Sequence, residues 1–120
     1  MKLSNERIVN TINVLGDLNN AKLPVKVAYA ITKNINKIDI ELKSYNEEKT
    51  KLINKYAEKN EDGNVVLKEE HIEDWNRDIK ELLSIANEVD IHMIQLDDLL
   101  NSNYDISPAE LAAIDFMISE

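Results

Sequence analysis

The stretch Val25–Glu58, VKVAYAITKNINKIDIELKSYNEEKTKLINKYAE, decides the fold. It contains neither Gly nor Pro, so nothing in it interrupts a helix. Ala28, Ile31, Ile35, Ile38, Leu42, Tyr45, Leu52 and Tyr56 recur at steps of three and four. That is a heptad seam, with Lys49 filling its one gap. Lys and Glu cover the other faces. At about 1.5 Å per residue the rod would extend ~50 Å. A charge at Lys49 is costly unless it pairs or reaches solvent, so Lys49 marks either where the hairpin opens toward a groove or where the pairing helix ends.

Working outward, Pro24 suits the first turn of this helix and disfavours helix at Leu23. Before it, Ser4-Asn5-Glu6 offers an N-cap. Ile8, Ile12, Leu15 and Leu18 repeat at helical spacing, which predicts a first helix over 5–19. After it, Glu61-Asp62-Gly63-Asn64 is the strongest turn signal in the chain. Val65-Val66-Leu67 reads as a short extended piece. Ile72, Trp75, Ile79, Leu82 and Ala86 form one stripe of a third helix over 69–87, paired antiparallel with the second. Residues 89–96 alternate and are β-branched, which suggests a strand against 65–67 or an extended arm. Ser107-Pro108-Ala109-Glu110 combines a capping box with Pro at the first position, opening a last helix over 108–118. The expected architecture is mainly α. It is a long antiparallel helical hairpin with short terminal helices and room for one minor β-hairpin, all in a single domain over 1–120. Helix three is too short to cover the whole seam, so helix one, the C-terminal segment or a second copy in a homodimer must cover the rest.

The chain has 120 residues, 43% of them hydrophobic and only 5% aromatic, so its core is aliphatic. It has no cysteine, which removes disulfides, thiol catalysis and zinc–cysteine sites. No apolar run suggests a signal peptide or a membrane span, and the expected location is the cytoplasm. The net charge of −9 is unevenly placed. Residues 1–60 hold 11 Lys/Arg and 7 Asp/Glu, a net of +4, whereas residues 61–120 hold 3 and 16, a net of −13. Such a half repels nucleic-acid backbones and suits a partner protein with a basic surface. The ordinary alternative is a solubilising face. The residues expected to carry a partner contact are Glu69, Glu70, Glu73, Asp74 and Asp78, with Asp97 and Asp98 near the last connection.

Glu58, Asn60, Asp62, Gly63, Val65 and Glu69 stand at positions 1, 3, 5, 6, 8 and 12 of a calcium-binding helix-loop-helix. Glu58, Asn60, Asp62 and Glu69 would be the metal ligands. Glu58 is longer than the Asp that loop prefers, and the motif is solitary, so an ordinary corner between elements explains it as well. His71 and His92 lie among carboxylates but far apart in sequence, and read as solvated surface histidines. No nucleophile–base pair, phosphate loop or dinucleotide fingerprint is present, so no catalytic residue, enzymatic activity or cofactor is expected. Trp75, the sole Trp, falls on the apolar stripe of helix three and reads as a core residue.

Four segments together carry a resemblance. They are Leu23–Ala30 (LPVKVAYA), Tyr45–Lys59, Asp90-Ile91-His92, and Ile106–Leu111 (ISPAEL) through Ile114–Ile118 (IDFMI). In this order and spacing they resemble a family of small proteins carried by phages and prophages of Gram-positive bacteria. The resemblance implies a phage context and a bacterial host cytoplasm, with no activity and no catalytic residues to carry over. Joined to the charge asymmetry, it leads to the expectation of a non-enzymatic phage protein that binds and inhibits a host protein. A component of antiphage defence is one such target, in the manner of an anti-CRISPR. The alternatives are a tail or head assembly chaperone or structural accessory protein, and the calcium-binding module.

Overall fold

The computed structural model describes residues 1–120. The first helix, α1 (Asn5–Asn19), has the expected bounds, and the Ser4 hydroxyl caps it by accepting from the Arg7 amide at 3.1 Å. The long helix, α2 (Val25–Tyr56), follows after Pro24. It stops two residues before the expected end, because Ala57 turns into an extended strand, β2 (Ala57–Lys59). This strand pairs antiparallel with β3 (Val65–Leu67), in the register Ala57↔Leu67, Glu58↔Val66 and Lys59↔Val65. The turn between them needs its glycine: Gly63 has φ +81° and donates to the Asn60 carbonyl. The Asn60 side chain accepts from the amides of Asp62 and Asn64 at 3.0 and 2.9 Å.

The third helix is shorter than its apolar stripe suggested. Residues 69–71 form a single 3-10 turn, and α3 spans Ile72–Ser84. Its C-terminus is tied off by the N-terminal segment. The Asn5 amide group donates to the Leu82 carbonyl at 2.8 Å, and the Asn5 backbone N–H donates to Ile85. The chain then continues as β4 (Ala86–Glu88), antiparallel to β1 (Lys2–Ser4). The expected pairing of 89–96 with 65–67 does not occur: β3 pairs only with β2. Instead β5 (Ile94–Gln95) lies parallel to β6 (Ile118–Ser119). A short helix that periodicity did not show, α4 (Leu96–Leu100), follows β5. The last helix starts with the expected capping box between Ser107 and Glu110, but α5 ends at Ile114. One 3-10 turn then swings Met117 into the core before β6.

The main core gathers Ile8, Leu15 and Leu18 of α1, Val27, Ala30, Ile31 and Ile38 of α2, and Val89, Ile94, Leu99, Ile114 and Met117 of the C-terminal half. The chief neighbour of α2 is thus α1, which covers the seam that α3 cannot reach. At the N-terminal end of α2 the buried face is shifted from the expected seam. Ala28 is exposed, while Val27, Ala30 and Asn34 face inward. Beyond Leu42 the rod leaves this core. Only Tyr45, Tyr56 and Leu82 are buried where the end of α2, the β2–β3 hairpin and α3 form a projecting arm. The molecule measures 54 × 30 × 22 Å, and its radius of gyration is 17.7 Å, against about 14 Å for a compact chain of this length. No helix is long and apolar enough to cross a membrane.

Asn34 is fully buried within that core. Its Nδ2 donates to the His92 carbonyl at 2.9 Å, and its Oδ1 accepts from the His92 N–H at 2.8 Å. The substitution Asn34→Ala leaves both backbone groups of His92 without partners and opens a void. Urea unfolding should show a loss of about 3 kcal/mol. A loss below ~1 kcal/mol would mean that solvent replaces the amide freely.

Candidate functional site

The seven carboxylates expected to form a partner surface do not form one surface. Glu69 and Glu70 lie on the 3-10 turn, and Glu73, Asp74 and Asp78 lie on α3. Asp97 and Asp98 open α4, and Asp98 shares a depression with Lys26, Val27 and Tyr29 at the other end of the rod. Asp78 touches Tyr56, and the stretch of α2 from Val27 to Tyr56 is about 44 Å long at ~1.5 Å per residue. The structure therefore brings five of the seven together and leaves the Asp97–Asp98 pair apart.

On α3 the division of faces follows from about 100° per residue. Trp75, Ile79, Leu82 and Leu83 share the side turned to the arm's interior, Glu73, Asp74 and Glu81 lie on the opposite half, and Asp78 borders the interior side, while Glu69 and Glu70 precede the helix on the 3-10 turn. Glu69, Glu70 and Glu73 are exposed. Asp74 and Asp78 are half-buried and engaged: Arg77 reaches Asp74 at 3.1 Å and Asp78 at 3.3 Å. The Tyr56 hydroxyl donates to Asp78 Oδ2 at 2.6 Å. This bond, helped by Arg77, holds the Asp78 carboxyl below its ordinary value. Asp78 thus fastens α3 to the end of α2; Glu69 and Glu73 present their charge freely, and Glu70, also exposed, lies 3.8 Å from Lys68 Nζ.

The residues matched to a calcium loop are placed differently from that motif. Glu58 is locked in a strand opposite Val66, so the segment is a closed β-hairpin and not a loop wrapped around an ion, and its carboxylate is 2.7 Å from Lys68 Nζ. Lys68 is held above its ordinary value by that contact. Asn60 spends its side-chain oxygen on the turn amides, and Asp62 lies at the exposed hairpin tip. Glu69 follows beyond Lys68. These residues, like all His, Asp and Glu side chains in the chain, fail to gather in a group of three or more able to hold a metal ion. The two histidines are also apart. His71 packs its ring on Tyr56 with centroids 5.6 Å apart, and His92 meets Tyr29 edge-on at 5.6 Å.

A feature that periodicity only hinted at lies beside the hairpin. Ile53 and Lys49 of α2, Ala57 of β2, Val65 and Leu67 of β3, and Trp75 of α3 line an open groove of about 260 Å³, five of its six residues apolar. Trp75 is half-buried there rather than sunk in the core. The sequence signal was Lys49, the charged break in the seam, which lies where the groove opens. Beside it, Val65 is 60% exposed and Val66 41%. No family model matches the chain, and neither a curated protein nor a solved structure does.

The Tyr56–Asp78 bond has a pH signature. A carboxyl whose pKa is depressed on folding stabilises the fold above its unfolded value and loses that contribution as pH falls through the folded value. The substitution Tyr56→Phe should therefore lower the melting temperature at pH 7. The gap from the parent chain should narrow once pH drops below the ordinary aspartate range, near about 4. Melting curves from pH 7 to pH 2.5 check this, and a gap independent of pH would assign the loss to packing alone.

Proposed function

We propose that this chain is a non-enzymatic, phage-encoded protein that binds a basic surface of a host protein and blocks it. The observation that carries this reading is the exposed acidic half of α3 and the turn before it, displayed on the arm of an elongated molecule. Carboxylates fixed on a helix resemble a row of phosphates to a basic site, and they speed encounter with it by long-range attraction. A target that normally holds nucleic acid is the natural class, and an antiphage-defence component fits it. The phage setting rests on the resemblance of the four segments named above. Glu69, Glu70 and Glu73 are the contact residues in this reading. Asp74 and Asp78 keep the helix in place, and the distant Asp97 and Asp98 take no part.

The test is capture from a Gram-positive host lysate with the tagged parent chain and with the triple variant Glu69→Lys, Glu70→Lys, Glu73→Lys. These three side chains are exposed, so the variant keeps its fold. The parent should retain one stoichiometric host protein at about 0.1 M salt and release it near 1 M, as the screening length falls from ~10 to ~3 Å. The triple variant should retain none. A partner held equally by both chains, or no partner at all, would overturn the reading.

A further inference from the structure

The β2–β3 hairpin is a two-stranded sheet, and no other strand joins it. Its pairing fixes which main-chain groups are free. The Asn60 N–H donates to the Asn64 carbonyl at 2.8 Å, which closes the turn. In an antiparallel ladder the bonded pairs alternate, so Glu58 and Val66 exchange bonds while Val65 and Leu67 turn their N–H and C=O groups outward. The outer edge of β3 is therefore an open row of donors and acceptors. It has none of the usual protections: no proline, no bulge and no charged side chain within Val65–Leu67. The side chains of Val65 and Leu67 also form the lip of the groove that holds Ile53, Ala57 and Trp75.

Charge decides what can occupy this edge. Between Ala57 and Trp75 the chain carries seven carboxylates and two lysines, and Lys68 is already held by Glu58. A second copy pairing β3 to β3 about Val66 would set the acidic hairpin tip, Glu61 and Asp62, toward Glu69 and Glu70 of its mate. An extended basic segment meets the opposite situation. Its backbone completes the ladder, alternate apolar side chains enter the groove, and its Lys or Arg residues reach the acidic rim.

We infer that the edge of β3 is a strand-addition site for an extended segment of a partner protein that alternates apolar with basic residues. This rests on the reading of the chain as a binder of basic proteins and supplies its mode of contact.

Trp75, the sole Trp, lines the groove and reports on it directly. The probe is an acetylated, amidated heptapeptide that alternates Lys with Val, titrated against the full chain while Trp75 fluorescence is followed. A saturable change is expected, and a peptide of the same sequence with a fully N-methylated backbone should bind at least tenfold more weakly. Val65→Pro removes an outward N–H without touching the β2–β3 ladder, and it should also weaken binding at least tenfold while circular dichroism stays unchanged. Should Val65→Pro perturb the fold, the N-methylated peptide alone decides. Equal binding of the two peptides, or no change in Trp75 emission with either, overturns strand addition. So does a dimer of the parent chain in sedimentation at the same concentration that Val65→Pro abolishes, since a second copy would then own the edge. Failure here is separable from failure of the wider reading. A host protein captured by the parent and by Val65→Pro alike, yet lost by the triple charge reversal, would keep the acidic-face function and discard the strand edge.

Discussion

The amide of Asn34 does for two distant parts of the chain what a ladder bond does for two strands. Its donor and its acceptor both engage the main chain of His92, so one side chain satisfies a whole backbone unit at the heart of the molecule. The residues around His92 are irregular, and an irregular segment against a helix has no ladder of its own to hold it. Asn34 supplies the missing partner from α2. Once His92 is fixed, Val89 and Ile94 fall on either side of it into the core, and Ile94 is set to pair with Ile118. Met117 then closes over the Asn34 amide, with its sulfur 3.4 Å from Nδ2. A polar atom in this position is tolerable because every buried side-chain nitrogen and oxygen in the chain has a partner.

The same device recurs where other segments meet helices. Asn5 takes the end of α3, and Asn87 donates to both Asn5 and the Leu3 carbonyl, which locks β1 against β4. The Thr11 hydroxyl lies between the Arg7 carbonyl at 2.7 Å and the Ala113 carbonyl at 3.2 Å, and Arg7 donates to the Ala112 carbonyl and Asp115 while lying over the Phe116 ring. The C-terminal ends of α3 and α5 are thus both satisfied by side chains from the first helix and the residue that starts it. This explains how short helices of uneven length hold together around one rod. Aliphatic burial supplies the driving force, and a few Asn, Thr and Arg side chains choose which neighbour each end meets.

The sequence made the rod legible because apolar steps of three and four survive over many turns. The bounds of α1 and the start of α5 were legible because capping chemistry is local. Helix ends were less so. α2 stops at Tyr56 because a ladder with Val65–Leu67 competes with further helix for Ala57–Lys59, and that competition depends on a turn closing several residues later. α3 stops at Ser84 because its last carbonyls find Asn5, far away in sequence. Asn34 itself was hidden. A polar residue between Ile31 and Ile35 looks like solvent-facing helix until the main chain of His92 is seen beside it. In the candidate site, the acidic character of residues 69–78 could be read directly, but its separation from Asp97 and Asp98 could not. That separation comes from the length of α2 and the path of the chain after Ser84. The hairpin groove left only one trace in the sequence, the lysine that breaks the seam.

An arm with three buried side chains and a bare strand edge would be a liability in a neutral protein, because such an edge templates its own aggregation. Proteins usually protect an edge by placing a charge on the strand itself. Here the strand stays apolar and the charge surrounds it, in Glu61 and Asp62 before it and Glu69, Glu70 and Glu73 after it. A charge on the strand would block every partner alike, whereas a charged rim discriminates by sign. It repels another copy of this acidic chain and other acidic surfaces, and under the proposed strand addition it leaves the edge open to a basic segment. The Tyr56–Asp78 bond and the Arg77 pairs hold α3 so that this rim keeps its place relative to the strand. Eight of the sixteen carboxylates in residues 61–120, from Glu61 to Glu81, belong to this arm, so half of the acid of the second half of the chain is gathered around one short strand.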